Sequence, residues 1–109
     1  MDNSRLEQLL NYYGSNQANA FIIFAIAKEY EKRQDWEKAL HYYLELRDKH
    51  SDYVGLYYHL AKLYEEFGHA DKALNTYLDG IKVAEQQSDL HALSELKNAK
   101  MNLELEEGL

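Results

Sequence analysis

Apolar residues along this chain recur at three- and four-residue intervals, the spacing of one face of an α-helix. Ile23, Ile26, Ala27 and Tyr30 form one such stripe, Ala39, Leu40, Tyr43 and Leu44 a second, and Leu60, Ala61, Leu63 and Tyr64 a third. Polar punctuation separates them. Asp35 is placed to cap a helix that starts near Trp36, Asp52 one that starts near Tyr53, and Gly68 supplies a flexible turn. The pattern predicts amphipathic helices near residues 18–33, 36–50, 53–67 and 70–87, the last lengthened by Ile81, Val83 and Ala84. Beyond them, Ser88 and Asp89 offer a cap to a final helix with Leu90, Leu93, Leu96, Ala99 and Leu103 as its apolar positions. Glu95, Lys97, Lys100 and Glu104 make its outer face.

The stripes also repeat as a block. Residues 20–53 align without a gap on residues 54–87. The identical pairs are Ala27/Ala61, Lys28/Lys62, Tyr30/Tyr64, Glu31/Glu65, Lys38/Lys72, Ala39/Ala73, Leu40/Leu74, Tyr43/Tyr77 and Leu44/Leu78, nine where chance gives roughly two. A fixed period of this length marks a stacked repeat, and repeats more often display a surface than assemble a reaction centre. The register run backwards puts Leu6, Leu9 and Leu10 where Leu40, Tyr43 and Leu44 stand, so the first thirteen residues read as the second helix of an earlier repeat.

The 34-residue period, with a small residue then an aromatic in the first helix and an alanine then an aromatic in the second, resembles the tetratricopeptide repeat. Ala27, Tyr30, Ala39 and Tyr43 hold those places in one copy, and Ala61, Tyr64, Ala73 and Tyr77 in the other. The resemblance implies an all-α superhelix of antiparallel helix pairs with terminal capping helices. Residues 1–109 then form one domain: an N-terminal helical cap (1–19), repeat 1 (20–53), repeat 2 (54–87) and a C-terminal capping helix (88–109). The chain departs from the family at the turn after each repeat, where proline is frequent and Ser51 and Glu85 stand here.

The alanines have a packing logic of their own. Helices approach to about 8 Å only where the facing side chains are small, and neighbouring aromatics fill the groove alongside. Tyr30, Tyr43, Tyr64 and Tyr77 are therefore read as core, and Gly80 as a close-contact site kept despite a helix cost of about 1 kcal/mol.

Composition narrows the function. The formal charge of −7 argues against nucleic acid, whose binding rests on lysine and arginine contacts to phosphate. The five glycines are scattered singly and make no phosphate loop. The longest apolar run, Ala20 to Ala27, has eight residues, too few to cross a bilayer, so no membrane association is expected. Asp2 and Glu7 around Arg5 do not have the form of a secretion signal, so no cleaved leader is expected. Absence of cysteine excludes disulfides and thiolate metal sites and suits a cytoplasmic setting. His41, His50, His59, His69 and His91 have no metal-ligand spacing, and no serine carries a nucleophile motif. Neither a metal nor a cofactor is expected, nor an enzymatic activity.

What remains is binding. In the resembled family the first helices of successive repeats line a concave groove. At its groove-facing positions the resemblance places Phe21, Phe24, Lys28 and Glu31 in one copy and Gly55, Tyr58, Lys62 and Glu65 in the other, with His59 beside them. The expected partner is a protein or peptide segment with an apolar anchor beside a carboxylate, from an acidic side chain or a free chain end. Against this, Lys28 and Lys62 can pair with Glu31 and Glu65 on their own helices, and a second copy of the chain can bury the aromatics as a homodimer. The lysine, asparagine and arginine set with which some family members grip chaperone tails is missing, since Phe24 and His59 occupy places for polar donors.

Overall fold

A computed structural model describes residues 4–16 and 18–108, and among them every regular element is helical: α1 (Ser4–Gly14), α2 (Ala20–Lys32), α3 (Trp36–Lys49), α4 (Gly55–Glu66), α5 (Ala70–Gln87) and α6 (Leu90–Glu107). The parts of the predicted caps at 1–3, 17 and 109, Asp2 included, lie outside the described residues. The chain divides into two compact units, Met1–Tyr53 and Val54–Leu109. The division falls where one copy of the sequence repeat ends and the other begins.

In the first unit α2 packs along α3 and α1 lies against α2. Asn19 starts α2 by accepting a hydrogen bond from the Ile22 amide at 2.9 Å. The α2–α3 turn needs only three residues because Gln34 takes a left-handed conformation at φ 62°. The Gln34 and Asp35 amides then donate to the Glu31 and Tyr30 carbonyls, and Asp35 caps α3 through the Lys38 amide at 3.3 Å, as its sequence position predicts. Ala27 and Ala39 are completely buried and let the helices approach. Leu9, Ala25 and Ile26 form a core to which Leu6, Leu10, Tyr13, Ile22, Tyr30 and Tyr42 add partly buried surface. Tyr30 is thus half-buried where full burial was expected, because its ring stacks at 5.7 Å on Tyr42, itself only partly buried against the core.

The second unit repeats this hairpin in α4 and α5, and α5 packs on α6 as well. Gly68 (φ 76°) stands at the place of Gln34, and the Gly68 and His69 amides donate to Glu65 and Tyr64 as their counterparts do. Gly80 is the close approach read from the sequence: a Cβ there would sit 2.5 Å from the Tyr57 Cβ of α4 and 3.1 Å from Leu96 Cδ1 of α6. Three expectations need correction. Asp52 does not cap α4: the chain turns at Ser51–Asp52, the Tyr53 amide bonds back to the His50 carbonyl, and the helix begins only at Gly55, after Val54. Ser88 does not cap α6 but closes α5 in a left-handed conformation, and Asp89 alone accepts from the Ala92 amide at 3.0 Å. Leu90 is 75% exposed as the first residue of α6, whereas Leu96, Ala99 and Leu103 are buried.

Candidate functional site

The residues at 24, 28 and 31 sit one turn apart on α2, and those at 58, 62 and 65 do the same on α4, so each helix carries its triplet along one side. On α2, Phe24 is half-buried, edge-on to Tyr43 at 6.1 Å and tilted against Tyr53 at 5.1 Å. The Lys28 ammonium lies over the Phe24 ring, 5.5 Å from its centroid. Glu31 accepts a hydrogen bond from the buried Tyr43 hydroxyl at 2.6 Å.

The second unit builds the same rung independently. Lys62 Nζ lies 5.8 Å from the centroid of the Tyr58 ring, and Glu65 accepts from the Tyr77 hydroxyl at 2.5 Å. Lys62 also reaches Glu65 at 3.9 Å, the helix-face pairing that the sequence offers as the alternative role for this lysine. His59 sets its ring edge-on to Tyr58 at 5.8 Å. Gly55 opens α4 and gives this unit no counterpart to Phe21. Burial, followed by the hydrogen bond to the carboxylate, pushes the Tyr43 and Tyr77 hydroxyls far above the usual phenol range. Both stay protonated donors, which fixes Glu31 and Glu65 in place. A second repeated pair, Lys38 over Tyr30 at 5.4 Å and Lys72 over Tyr64 at 5.7 Å, explains why lysine recurs at 38 and 72.

Phe21, Phe24 and Lys28 also line a hollow of about 330 Å³ in the first unit, together with Arg5 of α1 and Glu29 and Lys32 of α2. Phe21 is 60% exposed at its rim. Glu29 is held by Arg5 at 3.3 Å and Arg33 at 3.7 Å. Sequence reading missed Arg5 and Lys32. Lys32 was within reach, being one turn beyond Lys28 on the same stripe, whereas Arg5 joins the hollow only because α1 lies beside α2. Among the described residues no group of three or more histidines or carboxylates is arranged to hold a metal, and no helix is long and apolar enough to cross a membrane.

No family model matches the chain and no curated protein matches it. Solved structures do. A tetratricopeptide repeat domain protein from Salinibacter ruber, determined in solution by NMR, is 40% identical over 82% of this chain and 90% of its own, with a TM-score of 0.77. A crystal structure of a tetratricopeptide repeat domain protein from the same organism is 42% identical over 79% and 97%, also at 0.77. A protein of Bordetella parapertussis shares the fold at 21% identity, with a TM-score of 0.83 over 97% of this chain and 91% of its own. With the repeated alanine and tyrosine seams, the two helical hairpins and this degree of identity, the chain belongs to the tetratricopeptide repeat family.

Proposed function

We propose that the chain is a protein-binding module, or adaptor, with no chemistry of its own. It works in the cytoplasm and holds a peptide segment against the first-helix faces of its two repeats. The observation that carries this reading is the duplicated rung, a lysine laid over an aromatic ring on α2 and again on α4. Phe24, Tyr58 and the exposed Phe21 take an apolar anchor, and Lys28 and Lys62 meet a carboxylate beside it. Glu65, held by Tyr77, keeps Lys62 positioned, and Glu31, held by Tyr43, turns away a basic neighbour. His59 flanks the second rung and contributes a ring edge.

The test is selection of short peptides from a random library on the wild-type chain, followed by titration of the selected peptides against Lys28→Glu/Lys62→Glu. Enrichment of an apolar residue beside an acidic one, with affinity lost at least tenfold in the variant, is the expected result. Peptides that bind the variant as tightly as the wild type sink the proposal.

A further inference from the structure

The hollow on the first unit is lined by a stripe of α2 on which Phe24, Lys28 and Lys32 follow one another by single turns, and by Arg5 of α1. Cations thus collect here on a chain whose formal charge is −7. The carboxylate of the hollow, Glu29, is neutralised by Arg5 and Arg33, so it does not repel an incoming acid. Lys28 and Lys32 are both exposed, and among the described residues neither has a carboxylate partner. Two positive charges one turn apart are left for a ligand.

The second unit carries the same stripe with different chemistry. Tyr58 and Lys62 stand at the places of Phe24 and Lys28, but Glu66 takes the place of Lys32 and Gly55 that of Phe21. Lys62 already lies 3.9 Å from Glu65. A ligand with two successive acids would bring the second against Glu66 on α4, whereas on α2 it meets Lys32.

Spacing then limits what the ligand can be. From Phe24 to Lys28, and again from Lys28 to Lys32, α2 advances about 6 Å. An extended peptide sets alternate side chains on one face about 6.6 Å apart, a difference that flexible lysine stems absorb. We infer that the first unit reads an extended peptide in which an apolar residue and two acidic residues alternate with residues that point away, in the pattern apolar-x-acid-x-acid. The apolar side chain packs on Phe24 and the exposed Phe21, and the two carboxylates meet Lys28 and Lys32. The inference rests on the peptide-binding reading above and adds Lys32 as the residue that sends the acidic end of the peptide to the first repeat.

Fluorescence anisotropy of labelled synthetic peptides titrated with the full chain, at about 0.05 M salt, tests this. One peptide holds Leu-Ser-Glu-Ser-Glu at its centre, and its isomer, Leu-Glu-Glu-Ser-Ser, has the same composition without the alternation; each is also made in reverse order. In one of its two directions the alternating peptide should bind at least about tenfold tighter than either isomer. Lys32→Glu, which gives the first stripe the chemistry of the second, should erase that preference, and Lys32→Gln should reduce it. Lys62→Glu should leave the ratio between peptides unchanged. Equal binding of alternating peptide and isomer, no binding of either, or a preference that survives Lys32→Glu overturns the inference. Library-selected peptides that lack the alternation, yet lose affinity in Lys28→Glu/Lys62→Glu, keep the peptide-binding reading standing when this pattern fails.

Discussion

Gly80 shows how much one missing methyl group decides. The Tyr57 and Leu96 atoms that would meet a Cβ belong to α4 and α6, so α5 touches both neighbours at this one position. The Tyr57 contact is at its own Cβ, which cannot swing aside as a side-chain tip would. Gly80→Ala removes a helix penalty of about 1 kcal/mol but overpacks a fully built core, and overpacking costs about 1–3 kcal/mol. The expected outcome is net destabilisation, measured as a lower urea midpoint at unchanged slope. The buried tyrosines set a second residue-scale expectation. Tyr43 and Tyr77 are raised far above the usual phenol range by burial and then by their carboxylate partners. Tyr13 is pushed up to about 12 by its hydrogen bond to Glu45, then by burial. A folded-state pKa above the unfolded value means that the folded chain holds protons the unfolded chain releases once the pH passes about 10. Stability is complete below that point and falls as pH rises beyond it. Urea midpoints followed from about pH 8 to 11 should drop, and the drop should be shallower in Tyr43→Phe and Tyr77→Phe.

At the scale of the helical hairpin, the two repeats solve the same turn with different residues. The left-handed position holds Gly68 in one and Gln34 in the other. A side chain in that conformation costs about 1 kcal/mol. Gln34→Gly should therefore stabilise the protein by up to about 1 kcal/mol and Gly68→Ala should destabilise it by a similar amount, both read from urea unfolding. Hairpins were the most legible level of the fold, because the 3.6-residue period and the 34-residue echo report helices and their pairing directly. The starts were less so. Asp35 and Asp89 cap the helices they precede, yet Asp52 and Ser88 are equally good capping residues by type and lie in a turn and at a helix end. Side-chain type says that a residue can cap a helix, and only the local backbone path decides whether it does. The candidate site divides in the same way. Lys28, Lys62 and their rings were nameable only through the groove-facing positions that the tetratricopeptide resemblance implies. Arg5 was invisible because it comes from another helix, and the tyrosine hydroxyls bonded to Glu31 and Glu65 were invisible because twelve residues separate each pair.

For the whole molecule, the repeated tyrosine-to-glutamate bond has a meaning beyond holding one hairpin closed. Every 34-residue copy brings its own fastening from α3 to α2 or from α5 to α4. Copying such a cassette would therefore deliver a finished hairpin, with no new kind of contact to be invented. The fastening also sorts the residues of the proposed binding face into two kinds. Phe24 against Tyr58, and Phe21 against Gly55, already differ between the copies, while Glu31 and Glu65 serve the fastening and the surface at once. On the proposed peptide-binding reading, a change of partner is thus open through the aromatic positions, whereas the two glutamates tie the shape of the hairpin to the face it presents.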